Sequence, residues 1–446
     1  MTSQRSPRGD YTVLLAFSGP SELMAVNIFL KSDEKWKETK GTHHRLSVKR
    51  IFICKRVCKT WSNLISSPEF AKLHFARGEA FPLIRSLAPS RVSRTLYLVE
   101  PAEHCNGFDQ KSDCPIKVKL DIKLKIPLRN EELVINSVGD ANTNPCSKGG
   151  IKLKPKDHEL DVVNSCNGFL CLSEPFKYRP SFRDCNPVIV CNPITCEFIN
   201  LPPATIDDES RKYMIPMHSL HCGLGFSPKT NQYKVIWIRY PFSREERDIG
   251  SLTEIHTLGT GTWKRIGDAP STLHRKIRSP TYLNGSLHWF CHGVKYSNSI
   301  TSFDFDNEEF QSLPPPPFKP SGGMNFTMGL GEIRGCLCIC YVSGFAQSKV
   351  WMMKEYGVQG SWSEEYSFST EANVGRRIHD IYEPISVMRN GAILLFHCSK
   401  GALFYHDPKK PCFRLLKLKG YKSSYQAIAH IPSFISLKDA VNCEGR

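Results

Sequence analysis

From Val162 onward, the chain repeats one unit of tight turns and short apolar strands at a spacing of roughly 40 to 60 residues. An Asn-Gly pair supplies the positive φ of a two-residue hairpin turn, and proline fixes φ in other turns. The turns are predicted at Asn167-Gly168, Asn284-Gly285, Asn390-Gly391, Asn192-Pro193 and Ser227-Pro228. Because one such sheet cannot bury both of its faces and a ring of sheets can, the repeat predicts a β-propeller of about six blades over residues 95–437.

Two further stretches extend this prediction. Tyr425–Ile431 is apolar and has no glycine turn of its own, so we expect it to pair with the early strand at Thr95–Val99 and to close the ring. Ile116–Leu128 alternates between apolar residues and mostly lysines, which predicts a half-buried strand. Its basic face is interpreted as an exposed edge that discourages pairing, with an anionic-ligand surface as the alternative.

A helical block precedes the repeats, at Val48–Phe75. Its apolar residues follow the i, i+3, i+4, i+7 spacing of an amphipathic helix, from Cys54 to Ile65. Ser67-Pro68-Glu69 provides a cap, a proline in the first turn and a carboxylate, and therefore predicts the start of a second helix. Two short helices with an apolar stripe are too small to fold alone, so the stripe needs a partner.

The helical block resembles the second half of a plant F-box, at Leu46–Lys49, Cys54–Trp61 and Leu64–Phe70. The repeats resemble the F-box-associated, kelch-like propeller that follows such an F-box, at Gly223–Pro228, Leu283–Trp289 and Ser302–Phe305. The resemblance implies a mainly β fold with a small α-helical F-box at its amino end. It also implies a substrate-recognition subunit that binds a Skp-type adaptor of an SCF-type cullin ubiquitin ligase and holds a protein substrate on the propeller.

The same resemblance implies which side chains bind the adaptor. They are Pro20, Leu23, Ile28, Leu30, Leu46, Val48, Ile51, Cys54, Val57, Cys58, Trp61, Leu64 and Ile65. The residues themselves show no catalytic constellation and no cofactor is predicted, so a non-catalytic receptor is expected. The substrate is not specified by any motif in the sequence.

The first half of the F-box departs from the family pattern. Gly19–Lys31 is predicted as its first helix, with Leu23, Val26 and Leu30 on one face. The family usually opens with Leu-Pro, whereas this chain has Gly19-Pro20, and the polar segment Ser32–Arg45 separates two halves that normally run together. An alternative function follows: a propeller interaction module that no longer binds the adaptor because of this insertion.

These observations divide the chain into five parts. They are a disordered amino terminus (1–18), an F-box (19–77) interrupted at 32–45, a linker (78–94), the propeller (95–437) and a carboxyl-terminal tail (438–446).

Composition limits the remaining possibilities. The formal net charge of +16 favours acidic partners in principle, but no nucleic-acid-binding motif accompanies it, so a solvated basic surface is the preferred interpretation. The 18 cysteines are scattered through a large chain that shows no convincing secretory leader, so reduced thiols and a cytoplasmic or nuclear location are expected. No apolar run is long enough for a membrane span.

Two motifs suggest chemistry only weakly. Cys336, Cys338 and Cys340 lie at period two, which places them on one strand face about 7 Å apart, too far apart to close a zinc site unaided. A packed thiol face is the preferred interpretation. Gly329-Leu330-Gly331 is too short for a phosphate-binding loop. No metal site is therefore predicted.

Overall fold

The computed structural model describes residues 2–5, 12–16, 27–31, 47–86, 95–100, 116–121, 161–173, 188–202, 215–242, 251–274, 279–291, 299–317, 327–343, 347–369, 381–409, 412–416, 418 and 425–441. The chain forms two compact units, Met1–Arg77 and Gly78–Arg446. Each unit is described separately below.

The first unit begins with a three-stranded antiparallel sheet of β1 (Thr2–Arg5), β2 (Thr12–Ala16) and β3 (Asn27–Lys31). This sheet corrects two expectations. The residues expected to be disordered contain β1 and β2, and the end of the expected helix Gly19–Lys31 is the strand β3. Ile28 pairs with Leu15 and Leu30 with Val13, so pairing between two apolar strands overrides the weak helical spacing.

Three helices follow: α1 (Val48–Lys55), α2 (Lys59–Ile65) and α3 (Pro68–Ala76). The single helix expected from Cys54 to Ile65 is therefore two helices. The break has a local cause, because the N–H groups of Arg56 and Val57 bond to the carbonyls three residues before them and Cys58 is extended. The start of α3 is as expected, with the Ser67 hydroxyl accepting from the N–H of Phe70 at 3.2 Å.

The second unit contains six four-stranded antiparallel sheets, which are the blades of a β-propeller. Blade 1 consists of β27 (Tyr425–His430), β4 (Phe81–Ser86), β5 (Thr95–Glu100) and β6 (Ile116–Asp121). Blade 2 consists of β7 (Asp161–Cys166), β8 (Phe169–Ser173), β9 (Val188–Asn192) and β10 (Glu197–Asn200). Blade 3 consists of β11 (Ile215–Ser227), β12 (Gln232–Phe242), β13 (Leu252–Thr257) and β14 (Lys264–Arg265).

The remaining blades follow the same plan. Blade 4 consists of β15 (Thr281–Leu283), β16 (Ser286–Cys291), β17 (Ser299–Asp304) and β18 (Glu309–Leu313). Blade 5 consists of β19 (Thr327–Ile333), β20 (Cys336–Ser343), β21 (Gln347–Met353) and β22 (Trp362–Ser369). Blade 6 consists of β23 (Tyr382–Val387), β24 (Ile393–His397), β25 (Ala402–Asp407) and β26 (Cys412–Leu415). The predicted ring of about six blades is confirmed.

The ring is closed by pairing between strands from the two ends of the propeller. The prediction that the last strand pairs with Thr95–Val99 was wrong. β27 pairs with β4, which lies inside the segment expected to be a linker, and β4 in turn pairs with β5. Leu83 and Ile84 of β4 are 2% and 0% exposed, so this short stretch belongs to the core. A proline at position 82 and a length of six residues made the strand hard to recognise.

The hairpin turns show why the repeat was visible in the sequence. Asn167 and Gly168 have φ of 48° and 84°, and Asn284 and Gly285 have φ of 49° and 76°, as a two-residue turn requires. The third Asn-Gly pair differs, since only Gly391 has positive φ and a longer turn runs from Met388 to Ala392.

Apolar cores lie between neighbouring blades. At the junction of blades 3 and 4, for example, Trp289, Phe303 and Phe305 pack with Ile236 and Ile238. Clusters of the same kind fill the junctions 2/3, 4/5, 5/6 and 6/1 in the described part of the ring. At the junction of blades 1 and 2, polar contacts include the ion pair of Arg85 with Asp161.

Two tryptophans join an outer strand to the preceding blade. The indole N–H of Trp263 donates to the carbonyl of Pro202 at 2.8 Å, and that of Trp362 donates to the carbonyl of Pro314 at 3.0 Å. The Leu-Pro pair that closes a unit in the sequence therefore provides the acceptor for the next blade.

The end of the chain is part of the propeller. Helix α4 (Leu437–Val441) packs on blades 2 and 3, and Leu437 is fully buried. Glu197 accepts from the N–H of Leu437 at 2.7 Å, and the Asn192 amide donates to the carbonyl of Ile435 at 2.7 Å. Residues 438–441, expected to be a free tail, therefore belong to this packed helix.

Candidate functional site

The helices of the first unit present two kinds of apolar residue. Ala71 is buried, and so are five larger side chains with exposed fractions of 6% or less: Val48, Ile51, Cys54, Trp61 and Ile65. Two are exposed on the surface, Ile53 at 58% and Leu73 at 37%. Ile53 lies on α1 and Leu73 on α3, so two of the three helices each expose an aliphatic side chain.

Several exposed side chains on the same helices are positively charged. Lys49, Lys55, Arg56, Lys59 and Lys72 are all exposed. The helices therefore expose both aliphatic and basic side chains.

The structure separates the predicted adaptor-binding residues into groups. Val57, Cys58 and Leu64 are half-buried, and the five buried residues named above support the helices from within. Ile28 and Leu30 lie on β3 and not on a helix. Pro20, Leu23 and Leu46 lie outside the described residues. The predicted adaptor-binding set contains neither Ile53 nor Leu73. Ile53 falls off the apolar stripe of the first helical segment, and Leu73 is predicted only as an apolar residue of the second helix.

A second candidate site lies at the centre of the propeller. The first strand of a blade is its innermost strand, and five of these strands surround a cavity of about 290 Å³. The strands are β7, β15, β19, β23 and β27. This cavity was not predicted, because its walls come from positions between Ala80 and Ile431 that share no local pattern.

The wall formed by blades 5 and 6 is unusually close-packed. A Cβ atom added to Gly329 would lie 2.0 Å from the carbonyl oxygen of Tyr382, and one added to Gly331 would lie 2.5 Å from that of Pro384. Only glycine allows the two backbones to approach this closely. Gly329-Leu330-Gly331 therefore has a structural role in the cavity wall.

The chemistry of the cavity is amphipathic. Leu330, Ile385 and Ile428 contribute apolar surface, while Glu332 and Glu383 contribute carboxylates. None of the described residues that line the cavity is lysine, arginine or histidine. The described lining is therefore acidic, in a chain whose formal net charge is +16.

Glu332 is held in place by its own hairpin turn. Its Oε1 accepts from the N–H of Gly335 at 2.6 Å. Burial raises the pKa of the Glu332 carboxyl, and the hydrogen bond from Gly335 opposes that effect. The hydrogen bond from Gly335 therefore orients the carboxylate.

Cys336, Cys338 and Cys340 all lie on the strand β20. Cys338 and Cys340 are fully buried, and burial raises the pKa of both. The described residues contain no group of three or more His, Cys, Asp or Glu side chains that could hold a metal ion. Among the described residues, no helix is long and apolar enough to cross a membrane.

Comparison with known families decides the class of the chain. Residues 129–441 match the model of the F-box associated beta propeller domain. The chain belongs to this family.

Relatives of this F-box-associated propeller chain cover most of its length. An F-box protein from Arabidopsis thaliana is 28% identical over 358 residues, which are 72% of this chain and 81% of the relative. An F-box/kelch-repeat protein from the same plant is 28% identical over 366 residues, which are 81% of this chain and 86% of the relative. Among solved structures, a chain of a nidogen/laminin complex has a TM-score of 0.37 and 8% identity, covering 79% of this chain and 99% of that chain.

Proposed function

We propose that the chain is the substrate-recognition subunit of an SCF-type cullin ubiquitin ligase. The observation that carries this proposal is the combination of an F-box-like helical block, α1 to α3, with a propeller of the F-box-associated family. Relatives that align over most of the chain are F-box proteins. In this proposal the helices are the F-box, they bind a Skp-type adaptor, and the adaptor connects the chain to the cullin.

The adaptor would contact the outer surface of the helices. Trp61 and Ile65 are buried, so they would hold the helices in position. Ile53 and Leu73 are exposed and would supply apolar contact area, together with the half-buried Val57 and Leu64. Burial of an exposed aliphatic side chain contributes about 1.5–3 kcal/mol, so two such residues are sufficient to matter for affinity.

The propeller would hold a protein substrate, and the chain itself would perform no chemistry. A receptor of this kind promotes ubiquitination by raising the effective concentration of substrate lysines near a ubiquitin-charged enzyme. A cytoplasmic or nuclear location is part of the proposal, because the ligase acts on proteins in those compartments.

The proposal is tested by co-precipitation of a Skp-type adaptor with the full chain. A second form lacks residues 32–45, the polar insertion in the F-box. We expect the adaptor to co-precipitate with the full chain, and binding by neither form would refute the receptor function. Identifying proteins that accumulate when the chain is lost would then reveal the substrate.

A second candidate function is a propeller interaction module that no longer binds the adaptor. The departure that favours it is the insertion of residues 32–45, which precedes α1 and separates two halves that run together in the family. The same experiment distinguishes the two functions, because this one requires adaptor binding only after the insertion is deleted.

A further inference from the structure

Two cysteines meet at the junction of blades 2 and 3. Cys171 lies on β8 and Cys222 on β11, and their thiols are hydrogen-bonded to each other. Both belong to the apolar cluster that fills this junction, where Cys171 is fully buried and Cys222 is 6% exposed. Both are free cysteines. The fold therefore brings together two reduced thiols that are 51 positions apart in the sequence.

The backbone holds this pair in register. Cys171 pairs with Asn164 across the two inner strands of blade 2, and the Asn164 amide bonds to the N–H and the carbonyl of Leu224 in blade 3. Cys222 precedes Leu224 by two residues, so these two side chains lie on the same face of β11. The Asn164 amide therefore fixes β11 against blade 2 close to the two thiols.

The two thiols differ in acidity. The hydrogen bond from the Cys171 thiol lowers the pKa of Cys222, burial opposes that effect, and a hydrogen bond with the Ser173 hydroxyl lowers the pKa further. The same bond between the thiols raises the pKa of Cys171, and burial adds to that increase. The thiolate is the nucleophilic form of cysteine, so Cys222 is the nucleophile of the pair.

This arrangement distinguishes Cys222 from the other described thiols. Burial raises the pKa of Cys166, Cys191 and Cys340. Among the described cysteines whose pKa departs from its usual value, Cys222 is the one whose pKa is lowered. A thiol of lowered pKa beside a second thiol is an arrangement found in redox-sensing proteins, where the second thiol converts the oxidised first one to a disulfide.

We propose that Cys222 is a site of oxidation by hydrogen peroxide, with Cys171 as the resolving thiol that completes a disulfide between blades 2 and 3. In the first step the Cys222 thiolate attacks one peroxide oxygen, the O–O bond breaks, and the departing hydroxide takes up the proton that Cys222 released. In the second step the Cys171 sulfur attacks the sulfur of the Cys222 sulfenic acid, the S–O bond breaks, and the hydroxyl leaves as water with the Cys171 proton. Two thiols are thereby oxidised to one disulfide, and one peroxide is reduced to two water molecules.

The inference goes beyond the proposed function and does not depend on it. The disulfide would join two blades covalently at the junction where α4 also packs. Because a cross-link between distant positions restricts the unfolded chain, the oxidised propeller should resist unfolding better than the reduced propeller. Adaptor co-precipitation is a separate measurement, so either proposal can fail without the other.

The test uses the full chain, fully reduced and then freed of reductant, with hydrogen peroxide as the probe. After oxidation the remaining thiols are alkylated, the chain is digested without reduction, and cross-linked peptides are identified by mass spectrometry. We expect one dominant cross-link, between Cys171 and Cys222. The chemically unfolded chain, treated in the same way, is the control and should show no preference for this pair. Absence of the cross-link from the folded chain, or an equal yield from the unfolded chain, would overturn the proposal.

Variants separate the roles of the two cysteines. Cys171→Ser removes the resolving thiol, so oxidation of Cys222 should stop before a disulfide forms. The product is then a sulfenic acid, which dimedone traps, or the sulfinic acid that follows it. Cys166→Ser changes another buried thiol of the same cluster and should leave the cross-link unchanged.

Circular dichroism checks that both variants fold. A folded Cys171→Ser chain in which Cys222 is not oxidised would show that Cys222 is not the nucleophile, and would overturn the proposal. Loss of the cross-link from a folded Cys166→Ser chain would do the same, because Cys166 would then be the resolving thiol.

Discussion

The side-chain amide of Asn164 pairs with both backbone groups of Leu224. Its Nδ2 donates to the Leu224 carbonyl at 2.8 Å, and its Oδ1 accepts from the Leu224 N–H at 2.9 Å. Asn164 lies on the innermost strand of blade 2 and Leu224 on that of blade 3, and both are buried. The amide therefore completes the hydrogen bonding of a strand that lies at a blade junction.

Removing this amide should destabilise the propeller. Asn164→Ala leaves a buried N–H and a buried carbonyl without their partner, and each such group costs about 1–3 kcal/mol. We expect a lower free energy of unfolding, measured by chemical denaturation. The control is Asn200→Ala, which changes an exposed asparagine on β10 of the same blade. Equal stability of the two variants would contradict the role assigned to Asn164.

The cavity wall gives a second prediction. Gly329→Ala would place a Cβ atom 2.0 Å from the carbonyl oxygen of Tyr382, and backbone atoms cannot yield as a flexible side chain can. We expect a loss of stability of at least about 1–3 kcal/mol, or loss of soluble protein. The melting temperature measures the effect.

The matched control for this change is Gly360→Ala in the same blade. A Cβ atom at Gly360 meets no other atom within 4 Å. If the Gly329→Ala and Gly360→Ala variants had the same melting temperature, blades 5 and 6 could move apart at this point without loss of stability.

The propeller was predictable wherever the signal was local. The turn signal at Asn167 and Gly168, with their positive φ, is contained in two adjacent residues. The Leu-Pro pair that ends at Pro202 is also a signal of two adjacent residues. Ring closure was harder, since the short strand β4 closes the ring by pairing with β27, which lies more than 300 positions away. The helical spacing of Gly19–Lys31 misleads for the same reason, because pairing with β2 determines the structure of β3.

The cavity could not be predicted from any motif. Glu332 and Glu383 are 51 positions apart in the sequence. Both line the cavity because the ring brings their strands together. No local pattern distinguishes them from other strand residues, because consecutive residues of each innermost strand line the cavity.

The carboxyl-terminal helix should contribute to stability although it follows the last strand. Leu437→Ala removes a fully buried side chain from the cluster shared by blades 2 and 3. We expect a loss of about 2–5 kcal/mol in the free energy of unfolding. Lys438→Ala, at the next and exposed position, is the control and should have little effect. If both variants unfold alike, α4 is not part of the folding unit.

The proposed adaptor surface can be tested without disturbing the helices. Ile53→Asp places a charge on an exposed side chain, so the helices should remain folded while adaptor co-precipitation falls by about tenfold or more. Asn63→Asp introduces the same charge at an exposed position of α2 and is the control. Undiminished adaptor binding by Ile53→Asp would place the contact elsewhere.

A buried histidine should make the stability of the propeller depend on pH. The Nδ1–H of His288 donates to the Thr281 carbonyl at 3.0 Å, so its Nε2 accepts from the hydroxyl of Tyr356 at 2.7 Å. Burial lowers the pKa of His288 from 6.5 to about 4. Between these two values the unfolded chain binds more protons than the folded chain does, so stability falls as the pH drops from about 6.5 to about 4, by up to roughly 1.4 kcal/mol per pH unit.

The prediction is checked by denaturation at a series of pH values. His288→Asn should flatten this part of the profile, because the variant has no group that titrates there. Tyr356→Phe keeps the histidine and loses only the hydroxyl, so it should retain the slope while being less stable throughout. A His288→Asn profile as steep as that of the unaltered chain would assign the acid sensitivity to other groups.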